Sequence, residues 1–269
     1  MISMLCQLSR ASQKLIFMKL IFLFMFNKLV YFFIRKRKIY DRAMQTPNII
    51  GKYIDMIIVS IYHVQSTFSY IGGDFLKNDI RVNPDLDALG ALGDTGWYSI
   101  RAILWAHDYE LPNTVTAFRD PEYNESGVIL SCGAFLNWNK DGKVATFYSS
   151  FLMNLCMDII ALGTKGNFRV HDFVIPFNEK VGPFYAVANS RWADLSLGCI
   201  PEPSEFKIAT DLPQEALMVH EFGRLVAGIR NGEAKPEKKW SVISRKTQLV
   251  IDAVVASIKN GFVPVEVLY

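Results

Sequence analysis

The 269-residue sequence contains few of the patterns that hold metals or mark disulfide-rich proteins. Its four cysteines, Cys6, Cys132, Cys156 and Cys199, are widely spaced, and its four histidines are scattered along the chain. Because no group of these residues has metal-ligand spacing, the sequence predicts no metal site. Isolated cysteines of this kind are typical of reduced cytosolic thiols, which predicts a cytoplasmic location.

A glycine turn for a dinucleotide is also missing. The Gly-x-Gly-x-x-Gly turn that follows a strand and holds a pyrophosphate occurs nowhere in the sequence. Gly90, Gly93 and Gly96 are three residues apart, and this spacing does not fit. The chain therefore shows no cofactor-binding residues by this criterion. The formal net charge of +3 is too small to indicate a nucleic-acid partner.

Hydrophobic residues, in contrast, make up 51% of the chain, which is enough for a sizeable core. The most apolar run, Leu15 to Ile34, is interrupted only by Lys19, Asn27 and Lys28. It is long enough to span a bilayer, but its central polar residues make insertion marginal. A basic cluster follows directly, and the positive-inside rule would then leave the remaining chain cytosolic.

Three interpretations of this front segment stay open. It can anchor the protein in a membrane, lie on a membrane surface as a basic amphipathic helix, or be foreign to the folded protein, as a truncated or mis-spliced gene would produce. We therefore divide the chain into an apolar and basic segment over residues 1–62 and a folded domain over residues 63–269.

Alternation and turn signals predict that the folded domain is α+β. Residues 64–70 alternate as in a half-buried strand, and residues 72–89 are polar and predict a loop. Turn residues at 139–142 and 163–166 separate apolar runs, so sequential strands should form a large, mostly antiparallel sheet. Helices should pack on one face of this sheet and leave the other face open.

Two helices are predicted near the C-terminus, and each is expected to bury an apolar stripe in the core. Ser244 can cap the second helix and Gly261 can end it. The stripes recur at helical spacing and consist of Met218, Phe222, Leu225 and Ile229 in the first helix and Val250, Val254 and Ile258 in the second.

The stretch from Gly90 to Arg101, with the sequence GALGDTGWYSIR, contains the strongest candidates for catalytic side chains. Asp94 and Tyr98 are four residues apart and would share one face of a helix. A carboxylate and a phenol beside a glycine-rich backbone can orient a substrate and move a proton. The alternative is structural, with Asp94 capping the helix and Tyr98 packing in the core.

The string from Gly90 to Tyr98 resembles the sugar-site motif of the glucose–fructose oxidoreductase, inositol dehydrogenase and rhizopine-catabolism oxidoreductase family (Gfo/Idh/MocA). Similarity to its plant-type branch of uncharacterised members continues, in the same order, from Val64 to the C-terminus. The strings that carry it lie at Asp74–Arg81, Ile160–Val170, Leu212–Phe222 and Ser244–Asp252.

The resemblance implies an oxidoreductase that uses NAD or NADP and acts on a sugar, a diol or a similar hydroxyl or carbonyl compound. It further implies that Tyr98 acts as general acid/base, that Asp94 orients substrate hydroxyls, and that the open sheet face forms a homodimer. The family's nucleotide-binding half and its Glu-Lys-Pro lysine have no counterpart in this sequence. The alternative function is therefore a non-catalytic dimerising sheet module or truncated remnant, which the front segment could tether to a membrane.

Four further residues are candidates for substrate binding. Lys77 and Arg81 could contact phosphate or sugar hydroxyls, or else belong to a solvated loop. Trp97 could stack on a sugar ring, or else pack within the helix. Arg101 stands where many relatives carry an acid, and it could pair with Asp94, bind an anionic group, or be a solvated helix residue.

Overall fold

The computed structural model describes residues 61–139, 142–192, 199–209 and 211–269. The apolar run from Leu15 to Ile34 lies outside these residues. Within the described ranges, no helix is both long and apolar enough to cross a membrane.

Ten of the described strands form a single sheet. Its strand order is β11-β8-β7-β6-β1-β5-β4-β2-β12, and β3 pairs with β4 outside this path. The strands are β1 (Ile61–Ile71), β2 (Thr114–Ala117), β3 (Glu122–Tyr123), β4 (Ile129–Trp138), β5 (Lys143–Ser150), β6 (Leu152–Gly163), β7 (Gly166–Val170), β8 (Val181–Ala188), β11 (Ser204–Ala209) and β12 (Val265–Glu266), while β9 (Arg191–Trp192) and β10 (Cys199–Ile200) form a separate pair.

The strand β1 occupies the middle of the sheet. It pairs in parallel with β5 and antiparallel with β6, whereas the other described pairs of strands are antiparallel. Its predicted alternation is confirmed, since Val64 and Phe68 are buried in the core while Gln65 is exposed. The apolar runs that flank residues 139–142 and 163–166 form neighbouring antiparallel strands, as predicted: β4 pairs with β5, and β6 pairs with β7.

Five α-helices and one short 3-10 helix are described. The predicted loop at 72–89 contains two of these elements, because local backbone hydrogen bonds close short turns there. The helices are α1 (Gly73–Leu76), the 3-10 helix (Ile80–Val82), α2 (Gly90–Gly93), α3 (Thr95–Ala106), α4 (Gln214–Arg230) and α5 (Lys238–Lys259).

The core lies between one face of the sheet and the helices α3 and α5. Ile100 and Ile103 of α3 are fully buried in the same cluster as Phe147 of β5. Val250 and Val254 of α5 belong to this cluster too, as predicted from their spacing. The α+β class, with a mostly antiparallel sheet and helices on one face, is therefore confirmed.

Two predictions about the C-terminal helices are wrong. Phe222 and Ile229 of the α4 stripe are not core residues, because Phe222 is 51% exposed and Ile229 is also exposed, and α4 makes few contacts with the other described elements. Ser244 does not cap α5, because the helix begins at Lys238 and the Ser244 hydroxyl donates to the carbonyl oxygen of Trp240 inside it.

Candidate functional site

The candidate site forms where the end of β1 meets the start of α3. The chain leaves β1 at Ile71, and a hydrogen bond from the Gly72 amide to the Phe151 carbonyl oxygen ties it to the adjacent sheet. The short helices α1 and 3-10 then lead to α2 and to Asp94, the residue between α2 and α3. This path brings side chains from the strand, the connecting segment and the helix together.

The Asp94 carboxylate is the centre of the cluster. Its Oδ2 accepts a hydrogen bond from Nε of Arg81 at 3.0 Å and one from the Tyr70 hydroxyl at 3.3 Å. Its side chain makes no capping hydrogen bond to α3. Asp94 is the N-cap residue of α3, but its carboxylate turns toward Arg81 and Tyr70, so the alternative in which its side chain caps the helix by a hydrogen bond is wrong.

Arg81 is held by two carboxylates. Its Nη1 donates to Oδ1 of Asp79 at 3.0 Å, and the same oxygen accepts from the Arg81 backbone amide at 2.9 Å. Burial acts to lower the pKa of Arg81, but the charge of Asp94 and the hydrogen bond and charge of Asp79 outweigh it and raise that pKa. The guanidinium is thus a permanent cation positioned by the two acids.

Tyr98 lies one helical turn after Asp94 and packs its ring edge-on against Phe68, with ring centroids 5.7 Å apart. Burial raises the pKa of the Tyr98 phenol, the nearby Asp94 charge raises it further, and Arg81 partly offsets both effects. Burial and the charge of Asp94 likewise raise the pKa of Tyr70, and Arg81 acts to lower it. Both phenols are therefore neutral near pH 7 and can donate hydrogen bonds. Tyr98 also packs on the core, so its ring has a structural role as well.

Lys77 does not join this cluster. Its side chain is 73% exposed, and its ammonium pairs with the Asp74 carboxylate at 2.6 Å. Because the two residues lie on one face of a short helical turn, the lysine is held at the surface, away from Asp94.

Arg101 is also separate from the cluster, and two interpretations of it are wrong. It is neither solvated, since it is only 1% exposed, nor paired with Asp94, which lies about two helical turns away. Its Nη2 donates to the Ser244 hydroxyl of α5 at 3.3 Å, and its guanidinium lies 5.7 Å from the centre of the Trp97 ring. Trp97 itself is partly buried against the core, as expected for helix packing.

Two members of the cluster, Tyr70 and Asp79, are absent from the predicted site. Tyr70 continues the inward-facing alternation of Val64 and Phe68, so its pattern indicated only core packing. Asp79 precedes Arg81 by two residues, and this Asp-x-Arg spacing was the available signal for a carboxylate that fixes the guanidinium.

The glycines of the motif serve packing and do not form a dinucleotide cradle. Gly90 has φ +53°, and a Cβ there would lie 2.1 Å from the carbonyl oxygen of Ile129 on β4. A Cβ on Gly96 would lie 3.0 Å from Oγ of Ser149 on β5. Because these backbone surfaces already face the sheet, Gly90 and Gly96 do not form a cradle for a pyrophosphate. The described residues also include no group of three or more His, Cys, Asp or Glu residues able to hold a metal ion.

No protein-family model matches the chain. Its fold is similar to that of an aldose–aldose oxidoreductase from Caulobacter crescentus, solved with glycerol, with a TM-score of 0.61 and 19% identity over 79% of this chain and 57% of that one. It is also similar to a 3-ketoreductase from Actinomadura kijaniata, solved with NADP and TDP-benzene, with a TM-score of 0.61 and 18% identity over 81% of this chain and 60% of that one.

The chain spans less than two thirds of the length of these oxidoreductases. At sequence identities below one fifth, the similarity establishes the fold but not the activity. The architecture expected from the resemblance is thus confirmed: the described part of the chain has the fold of these two oxidoreductases.

Proposed function

We propose that this chain forms the substrate-binding side of an NAD(P)-dependent oxidoreductase acting on the hydroxyl or carbonyl group of a sugar or diol. The observation that carries the proposal is the Asp94 carboxylate, which Arg81 and Tyr70 hold beside Tyr98 instead of letting it cap the helix. A carboxylate fixed in this way, next to a neutral phenol, is suited to orienting a hydroxyl compound.

The proposed roles follow from the chemistry of the two groups. An ionised carboxylate accepts several hydrogen bonds, so Asp94 can orient a substrate hydroxyl while it still accepts from Arg81 and Tyr70. Tyr98 holds its proton at neutral pH because burial and the Asp94 charge raise its pKa. Its hydroxyl is therefore the group that donates to a substrate oxygen, as the acid in carbonyl reduction.

The resemblance implies NAD or NADP as cofactor, and one structural neighbour was solved with NADP. The motif glycines Gly90 and Gly96 do not form a dinucleotide cradle, since they pack against β4 and β5. We therefore assign to Asp94 and Tyr98 only substrate binding and the holding of a proton.

The test joins this chain to a nucleotide-binding region taken from a related oxidoreductase, fused before Val64. Sugars and diols are then screened for a change in NAD(P)H absorbance. Tyr98→Phe keeps the packing on Phe68 but removes the hydroxyl, and it should reduce turnover by roughly 10²–10⁴-fold. Asp94→Asn should reduce turnover while preserving the fold.

The matched control is Tyr62→Phe, which removes a hydroxyl from an exposed residue at the start of β1 and should leave turnover unchanged. If Tyr98→Phe and Asp94→Asn both turn over like the parent fusion, the motif is structural. The second candidate function, a non-catalytic module, would then be favoured.

A separate observation supports dimerisation, which would serve either the non-catalytic module or the oxidoreductase. The sheet face opposite α3 presents Phe135, Tyr148 and Ile160 as partly exposed side chains and Leu162 as an exposed one. We propose that two copies pair through this face. Light scattering should report a dimer that Leu162→Arg dissociates and that Leu212→Arg, outside the sheet, leaves intact; a monomeric parent would contradict the proposal.

A further inference from the structure

The described sheet ends in two unlike edges. At one end lies β12, a strand of two residues, which offers little backbone for pairing. At the other end lies β11, which has six residues and pairs with β8 without a break in register. Because β11 contains neither a proline nor a bulge, its outer edge is long and regular.

The two faces of β11 differ in kind. Phe206 stacks on Phe184 of β8, with ring centroids 5.0 Å apart, and Ile208 is buried in the core. Glu205 and Lys207 lie on the opposite face, because side chains alternate along a strand. Their side chains are 38% and 63% exposed, and Nζ of Lys207 lies 3.1 Å from Oε2 of Glu205. The core contacts therefore fix which face of the strand is turned outward.

The outer edge of β11 is open to another extended chain. In an antiparallel strand the amide and carbonyl groups of alternate residues point to opposite edges, so half of them point away from β8. Among the described strands, none pairs with them there. Charged side chains on an edge strand can serve to block such pairing. Whether Glu205 and Lys207 block it or direct it depends on which charges meet across the edge.

A second copy of β11 brings opposite charges together in one register. Directly opposite residues of an antiparallel pair lie on the same face, so the two-fold axis of a symmetric pair must pass beside a residue. An axis at Phe206 places Glu205 of each copy opposite Lys207 of the other. An axis one residue earlier or later places Glu205 opposite Glu205, or Lys207 opposite Lys207. Opposite charges across a strand pair stabilise it and like charges destabilise it, so the register centred on Phe206 is favoured.

We infer that β11 is a pairing edge for a second copy of this chain, which adds its own β11 antiparallel about a two-fold axis at Phe206. The alternation of the two faces is kept, so Phe206 of both copies lies on the core side and the charged residues lie on the other. A two-fold axis uses the same edge of both copies, so this contact closes at two chains. The inference is independent of the proposed function and of the open sheet face.

The association should be reversible and should depend on protein concentration, because one pair of short strands is a small interface and small interfaces are weak. The experiment is sedimentation velocity of the full chain over a series of concentrations. Every sample carries Leu162→Arg, which removes pairing through the open sheet face. The parent in this background should form a dimer as its concentration rises.

Two single substitutions each turn attraction into repulsion. Lys207→Glu makes the facing charges of both copies negative, and Glu205→Lys makes them positive. Each should raise the dissociation constant roughly ten-fold or more. An equimolar mixture of the two variants should associate again as a heterodimer, because the two lysines of one chain then face the two glutamates of the other. High salt should weaken this recovery.

The matched controls are Glu233→Lys and Lys235→Glu, which change an exposed pair of the same spacing that lies outside the strands. Both should associate like the parent. A parent that stays monomeric at every concentration would overturn the inference and show that the charges of β11 protect the edge. A dimer that survives both single substitutions, or a mixture that does not recover, would overturn it as well. None of these results bears on the Asp94 site.

Discussion

Nε of Arg81 lies 3.0 Å from Oδ2 of Asp94, and this contact joins the segment that follows β1 to the residue that precedes α3. The pairing positions the carboxylate and holds the connecting segment over the end of the strand. A residue at a helix start that would ordinarily cap the helix is thereby diverted to a polar cluster.

Replacement of Arg101 by methionine should leave the free energy of unfolding unchanged or raise it by up to about 3 kcal/mol. Within the described chain, its Nε and Nη1 have no hydrogen-bond partner, and burial lowers its pKa to about 10. An apolar side chain of similar length removes this desolvated charge and keeps the packing. Urea unfolding at pH 7 measures the change.

Arg101→Ala is the control, because it removes the same charge but leaves a cavity, and it should destabilise the protein by about 2–4 kcal/mol. A methionine variant as unstable as the alanine variant would show that the guanidinium itself stabilises the fold.

The free energy of unfolding should fall as pH drops from about 6.5 toward 4, and His107 should account for part of that fall. Burial and then the charge of Lys143 lower the pKa of His107 to about 4, and its ring lies 4.1 Å from that of Trp138. In this window the histidine is protonated in the unfolded chain but neutral in the fold, so acid favours unfolding.

The contribution of His107 approaches about 1.4 kcal/mol for each pH unit within the window. Urea unfolding at several pH values should show a shallower dependence for His107→Gln than for the parent. His220→Gln, at an exposed position of α4, should retain the parent dependence. Identical slopes for all three proteins would rule out a buried neutral histidine.

Gly90→Ala should destabilise the protein by at least about 2 kcal/mol. The new Cβ would lie 2.1 Å from the Ile129 carbonyl oxygen, at a residue with φ +53°. Gly127→Ala shares the positive φ, at +80°, but its Cβ meets nothing within 4 Å, so it should cost only about 1 kcal/mol. If thermal or urea unfolding shows the same loss of stability for both variants, backbone strain alone explains the effect of each substitution.

Calorimetric titration of the chain with NAD and with NADP should show no binding in the micromolar range. The sequence contains no Gly-x-Gly-x-x-Gly turn, and Gly90 and Gly96 are used to bring α2 and α3 against the sheet. Micromolar binding of either nucleotide would contradict this assignment of the glycines.

Periodicity predicted the regular elements well. The two-residue alternation around Val64 and Phe68 identified β1, and the stripe through Val250 and Val254 identified the buried face of α5. Periodicity does not reveal what covers an apolar face, which is why Phe222 of α4 was expected in the core and is exposed.

The site was predictable only in part. Asp94, Tyr98 and Arg81 stand out by residue type, but the contact of Tyr70 with Asp94 arises from the path of the chain between β1 and α3. The burial of Arg101 likewise depends on α5, which is remote in sequence and supplies the Ser244 hydroxyl. The spacing of residues within one segment cannot predict such long-range contacts.

The central place of β1 has a consequence for how the protein forms. β5 and β6 are consecutive in the chain, yet β1 separates them and is the strand that links the two halves of the sheet. During synthesis β1 therefore stays unpaired until its partner strands β5 and β6, some 80 to 100 residues downstream, have left the ribosome. Loss of residues 61–71 would leave two half-sheets with bare inner edges, which are templates for aggregation.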